Sequence, residues 1–106
     1  MNDQEADDNG VPDLGARGEN LKAAVGFITA AKNRFKEGEE LEEVLEVLNQ
    51  AKVKAAQMMQ EDIETGSNIV FRVQALEQAF SLKRGGAEKS EIDKVFADFD
   101  LPPEEL

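Results

Sequence analysis

Apolar side chains recur every three or four residues along four separate stretches of this sequence. This spacing matches the period of an α-helix that buries one face, and no stretch shows the strict alternation of a strand. The pattern predicts helices over residues 20–36, 39–63, 68–83 and 91–99. Because the connections between them are short, we expect neighbouring helices to be antiparallel. The sequence therefore predicts an all-α fold, an antiparallel four-helix bundle.

The buried faces of these helices are formed mainly by aliphatic and aromatic residues. They are Leu21, Ala24, Val25, Ile28, Ala31 and Phe35; Leu41, Val44, Leu45, Leu48, Ala51, Ala55, Met58 and Met59; Ile69, Val73, Leu76 and Phe80; and Ile92, Val95, Phe96 and Phe99. In the third helix, Val70 and Phe71 lie off the stripe, so we expect this helix to be buried more widely.

Capping and breaking residues predict where the helices begin and end. Asn20 is a suitable N-cap for the first helix, and Gly38 follows its last turn as glycines often do. The polar stretch 64–68 (ETGSN) is typical of a linker. Lys83–Gly86 ends the third helix, and Ser90 with an acid three residues later resembles a capping box for the fourth.

The amino-terminal stretch 1–19 differs in composition from the rest. It is rich in Asp, Asn and Gly and has few large apolar groups to offset the entropy of ordering it. We expect a disordered acidic tail there, followed by one domain over residues 20–103. At 106 residues, the chain has room for no second core.

The charge and the missing residue types limit the possible functions. The chain has 23 acidic and 12 basic side chains, a net charge of −11, and no His or Cys. Nucleic acids and anionic membranes would be repelled, whereas basic or apolar protein surfaces are suitable partners. The usual neutral-pH proton carrier, thiol nucleophile and soft metal ligands are missing. We therefore expect no catalytic residues, no metal, no cofactor and no enzyme activity.

Two possible ion or phosphate sites do not fit their patterns. The stretch 91–100 resembles the entering helix of a calcium-binding hand, but Leu101–Pro103 occupy positions where alternating oxygen ligands are required. The pair Gly85–Gly86 is not followed by the Lys-Ser/Thr of a phosphate loop. We interpret that pair as a turn that ends a helix.

The expected location is intracellular. The sequence has no Cys, and no apolar run approaches the ~20 residues that span a bilayer. Residues 1–5 are acidic where a signal peptide would be basic and then apolar.

Several segments resemble the paired amphipathic helix (PAH) domain of Sin3-type corepressors, or a related four-helix hub that binds short motifs. The stretch 24–35 (AVGFITAAKNRF) is similar to the first helix of that family, with its Ala-aliphatic start and its Lys-x-Arg-Phe end. Residues 44–48 (VLEVL) resemble the core of the second helix. The family ends in Phe-x-x-Phe-Leu-Pro, which residues 96–102 match except that Asp100 is inserted before Leu101.

The resemblance implies an apolar cleft between helices one and two, in which a short amphipathic helix of a partner docks. By match to the family, the partner-binding residues are Ala24, Val25, Ile28, Val44, Leu45 and Leu48. Phe35, Phe80, Phe96 and Phe99 would support this cleft from the core, and the small Gly26 would allow close approach. The implied function is transcription regulation in the nucleus; without the resemblance, we expect a cytoplasmic protein.

Two other functions are compatible with the sequence. The net charge of −11 is suited to an acidic decoy or inhibitor, which occupies the basic nucleic-acid-binding surface of another protein. Alternatively, the stripe over residues 41–59 pairs with itself and makes the chain a homo-oligomeric assembly element.

Overall fold

The computed structural model describes the backbone of residues 12–106 and the side chains of residues 18–106. Four α-helices follow one another: α1 (Pro12–Lys36), α2 (Leu41–Met58), α3 (Ile63–Arg84) and α4 (Lys89–Asp98). No strand occurs in the part of the chain that the structure describes. The predicted all-α fold is confirmed.

Consecutive helices pack against each other as antiparallel neighbours. α2 lies against both α1 and α3, α3 lies against α4, and a smaller contact joins α1 to α3. The predicted four-helix bundle is therefore confirmed. However, α4 has only 10 residues, against 25 in α1 and 22 in α3, and among the helices it contacts only α3. Much of the length of α1 and α3 is therefore not covered by a fourth helix.

The core lies along the axis of the bundle and is apolar throughout. Among the described residues, no polar or charged side chain is buried. The largest side chains without exposed surface are Phe80, Phe96, Ile28, Leu48, Met58, Leu76, Val44 and Val73. Each such residue contributes about 1.5–3 kcal/mol through its removal from water. The predicted faces of all four helices supply most of this core, although Leu21 and Val25 remain substantially exposed. Phe71, which lies off the predicted stripe of α3, is 46% exposed, so it does not widen the buried face of this helix.

Three helices end in the same hydrogen-bonded motif, in which one residue adopts a left-handed conformation. That residue is Gly38 after α1 (φ 87°), Gly86 after α3 (φ 92°) and Asp100 after α4 (φ 58°). The next residue donates its N–H to a carbonyl five residues earlier: Glu39 to Arg34, Ala87 to Leu82, and Leu101 to Phe96. This is the Schellman motif. The predicted helix ends at Gly38 and at Gly85–Gly86 are confirmed, and the inserted Asp100 takes the place that glycine has in the other two.

The predicted linker over residues 64–68 is wrong, because α3 already begins at Ile63. Asp62 caps this helix: its carboxylate accepts the Thr65 N–H at 3.1 Å and the Thr65 hydroxyl at 2.8 Å. Gly66 is buried against α2, where an added Cβ would lie 2.7 Å from the Ala55 carbonyl oxygen. The glycine that indicated a linker is in fact required for close packing of two helices.

The other helix starts also differ from those predicted. α1 begins at Pro12, about two turns before Asn20, and proline is favoured at a first helical position. Residues 1–11 of the predicted acidic tail lie outside the described residues. α4 begins at Lys89 after Glu88, which makes no side-chain capping bond. The predicted capping box at Ser90 is therefore wrong, and its acid Asp93 accepts a hydrogen bond from Lys89 at 3.1 Å instead.

None of the helices in the described residues is long and apolar enough to cross a membrane.

Two glycines within helices should respond in opposite ways to replacement by alanine. Gly66→Ala should lower the free energy of unfolding by about 2 kcal/mol, because its Cβ would press on the backbone of α2. Gly26→Ala should raise it by about 0.5–1 kcal/mol, because an added Cβ at exposed Gly26 meets nothing within 4 Å. Urea denaturation followed by circular dichroism measures both. A Gly66→Ala protein as stable as the original would contradict the close packing of α2 on α3.

The left-handed conformation of Asp100 predicts a stabilising substitution. Asp100→Gly should raise the free energy of unfolding by about 1 kcal/mol, since glycine adopts this conformation without steric cost. The control is Asp98→Gly, at the last helical residue of α4, which should lower stability because glycine is a poor helix former. Thermal unfolding of the two variants compares them directly, and a lower melting temperature for Asp100→Gly would count against the motif.

Candidate functional site

The six predicted partner-binding residues do not form one exposed surface. Four of them belong to the core and have no exposed surface: Ala24, Ile28, Val44 and Leu48. A ligand would reach these four side chains only if the helices separated. Val25 is 40% exposed, and Leu45 is half-buried. In this conformation, only these two members of the predicted set are accessible.

The two accessible residues are not brought together. Leu45 borders an open groove between α2 and α3, whose other lining residues are Glu77, Gln78, Ser81 and Leu82. Val25 is on α1 and does not line this groove. The structure therefore places Leu45 beside α3 residues, whereas the predicted cleft requires it beside α1.

The α2–α3 groove, formed by Leu45, Glu77, Gln78, Ser81 and Leu82, has a volume of about 480 Å³. Its apolar surface comes from Leu45 on one wall and from Leu82, which is 38% exposed, on the other. An ion pair joins the two walls, with Lys52 Nζ 3.5 Å from Glu77 Oε2. Leu82 lies off the apolar stripe of α3 and belongs to no motif, so the sequence does not indicate that it lines a groove.

Exposed acidic side chains lie close to Leu45 in the sequence of α2. Glu42 and Glu46 lie three residues before and one residue after Leu45, and both are exposed, as are Glu40 and Glu43. Negative charge in the first turns of a helix is favourable because it complements the positive end of the helix dipole. The same charges create a negative potential beside the groove, which attracts cationic side chains of a ligand.

A second polar site lies between α1 and α3. It is the Glu104 cluster, formed by Glu104, Lys32 of α1 and Arg72 of α3. Glu104 Oε1 accepts hydrogen bonds from Lys32 Nζ at 2.8 Å and from Arg72 Nη2 at 2.9 Å, and Oε2 accepts one from Arg72 Nε at 2.7 Å. The Glu104 side chain is only 15% exposed. One carboxylate therefore joins two helices through three charge-assisted bonds.

Hydrogen bonding changes the ionisation of the cluster. Burial raises the pKa of the Glu104 carboxyl, but the bonds from Arg72 and Lys32 lower it by more, so this pKa lies below its ordinary value. The bond to Glu104 raises the pKa of Arg72. Both effects keep the charged forms present and the ion pairs intact at neutral pH.

The segment that carries Glu104 folds back onto the bundle after α4. We call residues 99–106 the return segment. Its apolar members Phe99, Leu101 and Leu106 pack against the core. Glu104 and Leu106 thus contribute to the fold although they lie beyond residue 103, where the sequence predicted the domain to end.

Aromatic and cationic groups join α1 to α3 near the end of the return segment. The rings of Phe35 and Phe80 are stacked, with centroids 4.3 Å apart and planes inclined by 13°. The Arg84 guanidinium lies 4.4 Å from the centre of the Phe35 ring, and its Nη2 donates to the Phe35 carbonyl oxygen at 3.1 Å. Beside them is a cavity of about 360 Å³ that Leu106 also lines. Phe35 and Phe80 thus occupy the core, as predicted.

The described residues contain no group of three or more His, Cys, Asp or Glu side chains placed to hold a metal ion.

No protein-family model, curated protein or solved structure matches this chain.

The Glu104 cluster predicts a pH-dependent contribution to stability. Glu104→Gln should lower the free energy of unfolding by about 1 kcal/mol at neutral pH, since the charge-assisted bonds are lost. Because folding lowers the Glu104 pKa, this contribution is present above the unfolded-state value and is lost as the pH falls through the folded value. Urea denaturation of both proteins from pH 7 to pH 2.5 should show the difference shrinking in acid.

The adjacent acid provides the matched control for this measurement. Glu105 is exposed, so Glu105→Gln removes the same charge without removing the bonds to Lys32 and Arg72. It should change stability by less than about 0.5 kcal/mol at any pH. Equal effects of the two substitutions would show that net charge, rather than the cluster, is responsible.

Proposed function

We propose that this protein is a non-enzymatic interaction module that binds a short amphipathic helix of a partner in the α2–α3 groove. The observation that supports the proposal is the presence of two leucines, Leu45 and Leu82, on opposite walls of an open groove beside exposed acids. Docking of an amphipathic helix into an apolar groove is a recurrent mode of peptide recognition.

The apolar part of the groove suits a small number of anchor side chains. Leu45 is half-buried and Leu82 is 38% exposed, so both retain surface that a ligand would remove from water. Burial of apolar surface contributes about 25 cal/mol per Å². A ligand helix with leucines at positions i, i+3, i+4 and i+7 would place consecutive anchors along the groove, with its axis between α2 and α3.

The polar part of the groove favours a basic partner. Exposed Glu42 and Glu46 lie on the α2 side, so Lys or Arg on that flank of the ligand helix would find opposite charges; Glu77 on the α3 side is already paired with Lys52. Exposed ion pairs of this kind contribute modestly to affinity but accelerate association and exclude acidic competitors. We infer that the partner segment is apolar on one face and basic at its edges.

The proposed function, binding of an amphipathic helix, is also that of the PAH domains, which the sequence resembles. The proposed site lies between α2 and α3, whereas the resemblance implies a site between α1 and α2. The α1–α2 cleft implied by the resemblance would need Ile28, Val44 and Leu48 to become exposed. The α2–α3 groove needs no such rearrangement. A role in nuclear transcription regulation rests on the resemblance alone and forms part of this proposal.

A second function, the acidic decoy, is favoured by the exposed glutamates at the start of α2. Glu40, Glu42, Glu43 and Glu46 present four carboxylates within two turns of one helix. A basic nucleic-acid-binding surface would be attracted to this array without using the groove. Salt separates the two mechanisms, because charge attraction at exposed sites is screened within about 10 Å at 0.1 M ionic strength.

The groove proposal predicts selective binding of a basic amphipathic peptide. A labelled helical peptide with leucines at i, i+3, i+4 and i+7 and lysines at its edges should shift the amide resonances around Leu45 and Leu82. The same peptide with glutamates in place of the lysines should bind at least about tenfold more weakly, since it meets the acidic rim of the groove. Binding of the basic peptide should persist at 0.5 M salt.

Two neutral substitutions of exposed aliphatic residues make the test specific. Leu82→Gln should weaken peptide binding about tenfold through the loss of one apolar anchor. Val53→Gln, on α2 at a position 49% exposed and outside the groove, should leave it unchanged. Shifts centred on Val25 and Ile28 would favour the α1–α2 cleft. Complete loss of binding in salt would favour the decoy, and concentration-dependent sedimentation without peptide would favour homo-oligomers.

A further inference from the structure

We propose that Lys32 and Arg72 form a carboxylate-binding site which the chain's own Glu104 fills, and which a short acidic, leucine-containing segment of another protein fills in exchange. The site differs from the α2–α3 groove in position and in the charge of its ligand. The return segment, residues 99–106, shows the chemistry of the occupant directly. The proposal does not rest on the function assigned to the groove.

The cationic side chains of Lys32 and Arg72 require an anion between them. Lys32 and Arg72 are 22% and 33% exposed, and both direct their donors to the same carboxylate. They come from different helices and lie 40 residues apart in the chain. Without a carboxylate, two like charges would remain close together in partly dehydrated surroundings, which is unfavourable. The site therefore favours any segment that supplies a suitably placed carboxylate.

The positions of the donors in the site select a carboxylate held in one orientation. The guanidinium of Arg72 binds both oxygens of Glu104, through Nε at 2.7 Å and Nη2 at 2.9 Å, while Lys32 adds a third bond at 2.8 Å. Two-point contact of this kind selects a planar carboxylate in one orientation. Leu101 and Leu106 lie on either side of Glu104 in sequence, and both pack against the core. The ligand pattern is thus leucine, acid, leucine.

The segment that now fills the site is held by side chains and not by backbone hydrogen bonds, so another segment can replace it. Beyond Leu101, residues 102–106 form no backbone–backbone hydrogen bond to any described part of the chain. They are held by the side chains of Glu104 and Leu106. Pro102 and Pro103 restrict the backbone and so reduce the entropy lost when the segment binds. A segment from another protein that carries the same side chains would make the same contacts.

Covalent attachment explains why the chain's own segment occupies the site by default. A tethered ligand has an effective concentration in the millimolar range, so a free segment competes only when it binds more tightly or when the tethered one is weakened. The return segment therefore acts as a built-in competitor, and any change that weakens the Glu104 contact makes the site available.

The test uses the full chain and the synthetic peptide FDLPPEEL, which has the sequence of residues 99–106. The peptide should bind the Glu104→Gln protein about tenfold more tightly than the unaltered protein, because the competing carboxylate has been removed. The Glu105→Gln protein should behave like the unaltered one. A peptide with Gln in place of its first Glu should show no preference for the Glu104→Gln protein.

Shifts of amide resonances show where the peptide binds. They are measured on the unaltered protein, so the test remains valid if the Glu104→Gln protein is less stable. In the unaltered protein, millimolar FDLPPEEL should shift residues around Lys32 and Arg72 and those of the return segment as the latter is displaced. The Gln-containing peptide should not. Equal binding of both peptides, shifts confined to Leu45 and Leu82, or no binding at all would overturn the proposal.

Discussion

The interactions that join α1 to α3 close the bundle, because these two helices otherwise meet mainly through α2, which packs against both. These two helices are the longest, and their direct contact is the smallest in the bundle. α4 contacts α3 but not α1. Three interactions join α1 to α3 across the remaining space: the stacked rings of Phe35 and Phe80, the Arg84 guanidinium bound to Phe35, and the Glu104 carboxylate bound to Lys32 and Arg72. The ring stack is apolar and buried, whereas the Glu104 cluster is ionic and mostly buried.

The short fourth helix explains why the return segment matters. A fourth helix as long as α1 would cover the interface between α1 and α3 with apolar residues. Here the helix ends at Asp98, and the left-handed Asp100 directs the chain back over the bundle. The return segment covers the α1–α3 interface with leucines and one carboxylate instead. Side chains hold residues 102–106 without backbone–backbone hydrogen bonds, and the proposed exchange at the carboxylate site rests on that property.

The two proposed surfaces have complementary charge preferences on a chain of net charge −11. The groove between α2 and α3 lies beside exposed glutamates and favours a basic amphipathic helix. The Lys32–Arg72 site uses two of the 12 basic residues to bind an acid. On these two proposals, one small bundle would distinguish two kinds of partner segment by charge, with apolar anchors supplying affinity at each surface.

The helical fold follows from the amino-acid sequence alone, because apolar residues such as Ile28, Leu48, Leu76 and Phe96 recur at the helical period and lie on one face only when their segments are helical. The sequence also determined the ends at Gly38 and Gly86, since few other residues adopt their left-handed conformation. The spacing of residue types does not encode the tertiary contacts. It does not show that Gly66 lies inside a helix against α2, or that Val44 is buried while Leu45 borders a groove. Nor does it show that Glu104, one of 23 acids, binds two cations. Each of these features depends on which elements lie side by side, and that arrangement is set by packing between residues far apart in the chain.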